Sequence, residues 1–155
     1  MLPSTPEFSI LAGAGHSVKV NRGETTTALV IFDPEAAFRL GSRFQWLIEG
    51  HYSHTFSPDG WAAGLLPLGA RYYLDRSRYA FYVEFLAGFC WTNLEIEEID
   101  RRFNFVLTGG PGLRFTVDAR RSWSISARWL HYSNAGTVLP NLGFNAAVVL
   151  GGWKF

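Results

Sequence analysis

The sequence has one cysteine, few charged side chains and no long apolar run. Cys90 alone can form no internal disulfide and cannot build a cysteine-rich metal site, so it is predicted to be a packed residue. Only 17% of the 155 residues are charged, against about 25% in an average soluble domain. A formal net charge of +1 creates no field that would attract a polyanion. We therefore expect no nucleic-acid partner.

The missing apolar run excludes a membrane-spanning helix, which needs about 18 consecutive apolar residues. The chain is nevertheless 48% hydrophobic and 16% aromatic, which is rich for a soluble domain. Transmembrane β-strands carry such hydrophobicity in alternation rather than in runs. The composition therefore leaves two classes, a soluble β-barrel or sandwich and a transmembrane β-barrel.

Turn-forming residues recur between eight segments that are rich in aromatic and β-branched side chains, a pattern typical of strands. The segments are 6–19, 25–38, 42–55, 61–74, 78–92, 103–117, 121–133 and 143–155. No linker or low-complexity stretch separates them, so residues 1–155 are predicted to form a single domain. In the second segment Asp33-Pro34-Glu35 interrupts the alternation, which predicts a bulge or an early strand end there.

Alternation gives each segment an apolar face and a polar face, because successive side chains of a strand point to opposite sides. The polar faces carry few and mixed charges, namely Glu49, Arg71, Glu84, Arg114 and Arg128. Such a face suits a narrow interior of paired ions, whereas the apolar faces end in Trp and Tyr, as lipid-facing strands do. The sequence therefore predicts an eight-stranded antiparallel up-and-down transmembrane barrel, with a lipocalin-like soluble barrel as the alternative.

The chain ends carry signals for location. Trp153-Lys154-Phe155 resembles the C-terminal signal of bacterial outer-membrane barrels, which predicts recognition by the barrel assembly machinery through Phe155. Residues 1–6 lack the basic and apolar regions of a signal peptide, so the chain is either not exported or a mature form with an added Met. If both ends are periplasmic, short turns at 40–42, 75–77 and 118–121 face the periplasm and the longer 93–102 connection faces outward.

Three polar residues are predicted on the outward face at one end of the barrel. His131 and Ser133 are two apart and share the face of Trp129, and Asn145 lies on the outward face of the last strand. The ten residues from Phe155 back to Asn145 climb about 25 Å at a tilt of about 40°, which reaches the outer interface. Polar groups directed at lipid need a reason. They form a reactive site or simply mark the water boundary.

The stretch His131–Gly136, followed by Pro140-Asn141-Leu142-Gly143, resembles the signature of the outer-membrane lipid A 3-O-deacylases, the PagL or acyloxyacyl hydrolase-like family. The resemblance is strongest over residues 103–155. It implies hydrolysis of an ester-linked acyl chain of lipid A, the membrane anchor of lipopolysaccharide, on the outer barrel surface. It also implies that no metal or cofactor takes part and that lipopolysaccharide is the partner. A second copy of the chain is a further candidate partner.

Carried over by position, the resemblance makes Ser133 the nucleophile and His131 the general base. Asn141 matches the oxyanion-hole asparagine, and loop amides near Gly136 are a second candidate for that role. The family's glutamate is replaced by Asn145, which can accept a hydrogen bond from the imidazole but cannot neutralise its charge. Two hypotheses follow: an active deacylase with a Ser-His-Asn site, or a weakly active or inactive barrel with a lipid-binding or structural role.

Other polar residues give weaker signals. His51 and His54 are predicted on opposite faces, which excludes a simple two-ligand metal site. His16 and Arg22 are either contacts for lipopolysaccharide phosphates or solvated loop residues. The acidic run is either a divalent-ion site between phosphates or a solvated loop; its members are Glu95, Glu97, Glu98 and Asp100. The sequence has no Gly-x-Ser-x-Gly elbow, phosphate loop or His-Glu-x-x-His motif.

Overall fold

The structure is a computed structural model that describes residues 5–20, 25–99, 101–137 and 142–155. Eight antiparallel strands close into an up-and-down barrel, each paired with its neighbours in sequence and the first paired with the last. They are β1 (Glu7–Ser17), β2 (Ala28–Arg39), β3 (Phe44–Phe56), β4 (Asp59–Tyr73), β5 (Tyr79–Thr92), β6 (Phe103–Thr116), β7 (Ser122–Ser133) and β8 (Phe144–Lys154). The predicted fold and its eight segments are confirmed. Within the described ranges, no helix has the length and apolar character needed to cross a membrane.

Alternation along the strands separates an apolar exterior from a mixed interior, in which buried charged residues lie beside a hydrophobic core that includes Leu47, Leu86 and Leu130. Phe81 and Trp123 on the outward face are 56% and 55% exposed, whereas Glu49 and Arg128 on the inward face are 0% and 3% exposed. An eight-stranded barrel is just wide enough for side chains to fill its lumen. Most aromatic side chains therefore lie on the outside, which is the reverse of a soluble barrel and the arrangement that a lipid environment requires.

Two arginines and three glutamates form an ion-pair network in the lumen. Arg71 donates to Glu35 at 2.6 Å and to Glu84 at 2.8 Å. Arg128 donates to the other oxygen of Glu84 at 2.7 Å and to Glu49 at 2.8 Å. All five side chains are buried. The network confirms the predicted interior of paired ions and links β2, β3, β4, β5 and β7 across the barrel.

The predicted irregularity at Pro34 is wrong. β2 runs unbroken, and its pairing with β3 keeps one register on both sides of the proline. Gly50 lies opposite, where a Cβ atom would come within 3.0 Å of the Pro34 ring, so the absence of a side chain makes room for the proline. The irregularity is instead in β4, where the register against β5 shifts between Leu65 and Leu68, around Pro67.

Short turns lie at the end of the barrel that holds both termini. They span 40–43, 74–78 and 117–121, close to the predicted positions. At the other end the connections 18–27, 93–102 and 134–143 are longer, whereas the turn between β3 and β4 spans only 57–58. Hydrogen bonds from the Arg121 side chain and from the backbone of Arg120 and Arg121 lower the pKa of Asp118 to about 2. Short turns are typical of the periplasmic end of outer-membrane barrels, and long loops of the outer end.

The 93–102 loop folds over the outer end of the lumen. Leu94 and Ile99 are buried, and Glu98 is only 4% exposed. The Glu98 carboxylate accepts hydrogen bonds from the backbone and hydroxyl of Thr25, in the loop between β1 and β2. Within the acidic run, Glu95 and Glu97 are exposed, as predicted for a solvated loop, whereas the Glu98 carboxylate joins two loops. Asp100 lies outside the described residues.

Cys90, His51 and His54 lie as predicted. Cys90 is fully buried and is a free thiol. His51 points into the lumen, with Nδ1 2.9 Å from Asp33, whereas His54 lies on the opposite face with Nε2 3.4 Å from Asp59. No cluster of three or more His, Cys, Asp or Glu suited to a metal ion occurs among the described residues. Arg22 lies outside them.

Candidate active site

The outer ends of β7 and β8 bring a polar cluster together on the outward face of the barrel. Trp129, His131 and Ser133 alternate along β7, and His131 pairs directly with Asn145 on β8. Although Asn145 is on the outward face, only 7% of it is exposed. The convergence predicted for His131 and Asn145 is thus found in the structure. Because Asn145 is buried and hydrogen-bonded, it differs from the solvated residue that the water-boundary alternative predicts.

One oxygen of Asn145 holds the cluster together. Asn145 Oδ1 lies 2.8 Å from His131 Nδ1 and accepts a hydrogen bond from Trp129 Nε1 at 3.1 Å. The amide nitrogen of Asn145 donates to the Gly143 carbonyl at 3.2 Å. An indole N–H can only donate, so the amide atom that it meets must be the oxygen. His131 Nδ1 must then carry a proton and donate, so in the neutral imidazole Nε2 is the nitrogen that accepts.

Gly143 fixes the position of the imidazole ring. It has a φ of +72°, and a Cβ atom there would come within 2.6 Å of His131 Cε1. A side chain at this position would therefore strain the backbone and displace the ring. Gly143 belongs to the Pro-Asn-x-Gly part of the sequence signature, so the structure gives this glycine a physical role next to the histidine.

Tyr132 fixes the backbone of the site from inside the barrel. It lies between the histidine and the serine in sequence and points into the lumen, where its hydroxyl is 2.5 Å from His51 Nε2 and 2.8 Å from Ser53 Oγ. Its ring stacks on Phe144, the paired residue of β8, at a centroid distance of 5.8 Å. The two strands that carry the polar cluster are thus packed together directly behind it.

The chain turns sharply after Ser133. Ala135 and Gly136 have φ angles of 53° and 75°, and the Thr137 N–H donates to the Asn134 carbonyl at 3.1 Å. Positive φ at both central residues is typical of a type I′ turn. The Gly136 N–H already donates to the Asn134 side chain at 2.9 Å, which weakens its candidacy as an oxyanion donor. The other candidate, Asn141, lies outside the described residues.

An apolar groove of about 430 Å³ leads along the outward surface to His131. Phe85, Leu107 and Trp129 line it together with Gly109, which pairs with both aromatic residues. A Cβ atom at Gly109 would come within 2.5 Å of a carbonyl oxygen of β5, so the strands can pack this closely only around a glycine. The missing side chain leaves a channel in an otherwise continuous lipid-facing surface.

Comparison with known families and structures identifies the barrel. The model of the family "Lipid A 3-O-deacylase (PagL)" matches residues 32–154. The chain belongs to this family. It is a family of outer-membrane lipid A deacylases, which are ester hydrolases that act on the lipid A of lipopolysaccharide. The predicted resemblance to the lipid A 3-O-deacylases is thereby confirmed.

Solved structures agree with the fold of the lipid A 3-O-deacylases. The crystal structure of the outer membrane enzyme PagL matches with a TM-score of 0.77 and 16% identity, over 92% of this chain and 97% of that one. Neisserial surface protein A matches with a TM-score of 0.68 and 14% identity, over 95% of each chain. No curated protein sequence matches. These neighbours and the family place the chain in the bacterial outer membrane, so the soluble alternative is excluded.

Sequence reasoning missed two contributors to the site of this lipid A 3-O-deacylase. The sequence predicts Trp129 only as a lipid-facing residue. Its side chain can only donate a hydrogen bond, and its position two residues before His131 on the same face was a usable signal. Gly109 gave no signal, because its effect depends on its pairing with Phe85 and Trp129 on two neighbouring strands.

Proposed function

We propose that this chain removes an ester-linked acyl chain from lipid A with Ser133 as nucleophile, His131 as general base and Asn145 as the residue that orients the imidazole. The observation that carries the proposal is the double hydrogen bond at Asn145 Oδ1, which selects the tautomer of the neutral imidazole in which His131 Nε2 can accept a proton. Ser133 Oγ attacks the acyl carbonyl carbon and gives its proton to Nε2. The same division of roles operates in serine hydrolases of unrelated folds.

The later steps follow from the same groups. The carbonyl oxygen becomes negative in the tetrahedral intermediate, and Asn141 is proposed to donate to it, as the family pattern implies. His131 then returns the proton to the leaving sugar oxygen, and the C–O ester bond breaks. Water attacks the acyl-enzyme with His131 again as base, which releases the fatty acid and restores Ser133. These steps require no metal or cofactor.

The groove beside His131 supports an acyl substrate. Lipid A lies in the outer leaflet with its acyl chains roughly along the membrane normal, and the groove lies on the outward surface that meets those chains. An acyl chain against Phe85, Leu107 and Trp129 brings its ester to the polar cluster at the outer interface. Holding the reacting groups together in this way contributes to the rate, because it removes the cost of bringing them together.

Lipid A hydrolysis by the purified barrel tests the proposal. The barrel is incubated in detergent with lipopolysaccharide, and mass spectrometry of the lipid A is expected to show loss of one acyl chain together with the free fatty acid. The barrel with Ser133→Ala, folded to the same extent, serves as the control and is expected to leave the spectrum unchanged. An unchanged spectrum with the unaltered chain would instead favour the lipid-binding or structural barrel.

The Trp129→Phe variant is expected to hydrolyse lipid A about tenfold more slowly, since one neutral hydrogen bond contributes about 0.5–1.5 kcal/mol. Phenylalanine keeps an aromatic ring but removes the N–H donor that fixes the amide of Asn145. A rotated amide would present its NH₂ group to His131 Nδ1, which then must accept, and the proton would move to Nε2. The loss is expected in kcat, measured by fatty-acid release at saturating substrate.

The Asn145→Glu background provides the control for Trp129. Both atoms at the tip of a carboxylate are acceptors, so no rotation can present a donor to His131. Trp129→Phe is therefore expected to cost less in that background than in the unaltered chain. Equal losses in the two backgrounds would mean that Trp129 acts by packing alone and does not set the tautomer of His131.

The Asn145→Glu variant itself is expected to be about tenfold faster than the unaltered chain, a change of about 1.4 kcal/mol in activation free energy. The glutamate neutralises the imidazolium that forms during attack. Selection of the His131 tautomer adds little to this gain in rate, because Trp129 and Asn145 already select the same tautomer in the unaltered chain. Asn145→Asp is the contrasting variant. Its second oxygen would replace the nitrogen that donates to the Gly143 carbonyl at 3.2 Å, so two acceptors would face each other there. A slower Asn145→Glu enzyme would show that the site requires the amide.

A further inference from the structure

The periplasmic end of the lumen opens into a funnel of about 490 Å³ with a large excess of arginine. Its charged lining residues are five arginines and one aspartate, namely Arg39, Arg43, Arg76, Arg78, Arg114 and Asp75. Tyr73 and Gln45 also line it and are buried at this end of the lumen. The funnel is on the opposite side of the membrane from the polar cluster at His131.

Among the residues that the structure describes, most of these arginines have no ion-pair partner. Arg39 pairs with Glu7 at 2.8 Å. For the other four arginines of the funnel, the described residues contain no carboxylate oxygen within 4.0 Å. The carboxylate of Asp75 accepts hydrogen bonds from the backbone N–H and hydroxyl of Ser77 and from the backbone N–H of Phe81.

Arg114 is the deepest of these arginines. Its guanidinium lies over the ring of Tyr73, with Cζ 4.3 Å from the ring centroid. Its Nε atom is buried and has no hydrogen-bond partner among the residues that the structure describes. A buried donor without an acceptor is destabilising, so an acceptor from outside the chain would be stabilising here.

We propose that the funnel binds a phosphate group, the chemistry shared by a phospholipid headgroup of the periplasmic leaflet and a free phosphate ion. The planar guanidinium group matches phosphate oxygens with paired N–H donors. Exposed aromatic side chains surround the funnel on the outward face, namely Phe44, Tyr72 and Tyr79. Since aromatic belts lie at the level of the headgroups, the funnel is at the depth of the lipid phosphates.

Native mass spectrometry of the purified barrel with added lipid tests the proposal without any measurement of hydrolysis. Phosphatidylglycerol is expected to remain bound, whereas diacylglycerol, which has the same chains but no phosphate, is not. The double variant Arg43→Gln, Arg76→Gln removes two exposed turn arginines of the funnel. It is expected to bind phosphatidylglycerol at least about tenfold more weakly, since each arginine near an anionic lipid surface contributes about 1 kcal/mol.

The double variant Arg120→Gln, Arg121→Gln is the matched control, because it removes the same charge from exposed turn residues at the same end but outside the funnel. Its affinity for phosphatidylglycerol is expected to stay within about a factor of two of that of the unaltered chain, because an exposed charge outside the funnel makes little specific contact with the lipid. Equal losses in both variants, or equal retention of diacylglycerol, would overturn the proposal. Displacement of the lipid by millimolar sodium phosphate would identify the free ion as a sufficient ligand, and resistance would identify the lipid headgroup.

Discussion

The Ser133→Ala and His131→Ala variants are each expected to lose lipid A hydrolysis by a factor of at least about 10³, and the double variant to be no slower than either. Nucleophile and base act as one unit, because the serine is a weak nucleophile until Nε2 takes its proton. Removing either partner therefore removes the whole contribution of the pair. The rates are measured as fatty acid released from lipopolysaccharide by purified barrels in the same detergent.

Ser124→Ala is the control for this experiment. Ser124 lies near the other end of β7, paired with Arg114 and Gly152, so its loss should leave the rate unchanged within a factor of two. A double variant that is much slower than both single variants would show that Ser133 and His131 act independently. Substantial activity in Ser133→Ala would place the nucleophile elsewhere in the chain.

The Arg128→Met variant is expected to be less stable by about 3–5 kcal/mol in the free energy of unfolding. Methionine fills much of the same volume but leaves the carboxylates of Glu49 and Glu84 buried without the arginine that donates to both. An unpaired charge in a closed lumen costs far more than the pair contributes. Urea unfolding of the barrel in lipid vesicles, followed by tryptophan fluorescence, measures the change.

Arg121→Met is the matched control for Arg128→Met. Arg121 also pairs with a carboxylate, at 2.6 Å, but the two side chains are 57% and 40% exposed. Its loss is expected to cost less than about 1 kcal/mol, because water and salt replace the partner. Adding Glu49→Gln to Arg128→Met should restore part of the stability by removing one uncompensated charge. Equal costs for the two arginines would mean that water reaches the lumen freely.

Most of the barrel could be predicted from the sequence, because the two faces of a strand differ so strongly in composition. Phe81 and Glu84 belong to opposite faces by position alone, and the structure places one outside and the other in the ion-pair network. The errors concern contacts between strands or loops that are distant in sequence. Pro34 is tolerated because Gly50 lies opposite it, and Glu98 is buried because Thr25 meets it.

The polar cluster could be predicted in part. The spacing of His131 and Ser133 requires only strand geometry, and the family resemblance brought Asn145 to the same place. The contribution of Trp129 depends on which atom of an amide its N–H meets, and no spacing rule contains that information. The groove depends on Gly109 being paired with large side chains on both neighbours, which only the register reveals.

The outward position of Trp129, 43% exposed on the surface of the barrel, makes the surrounding lipid part of the proposed catalytic centre. In the proposed mechanism, the acyl chains of the outer leaflet keep water from competing for the indole N–H and lower the local dielectric constant. The membrane would then supply both the substrate and one wall of the active site.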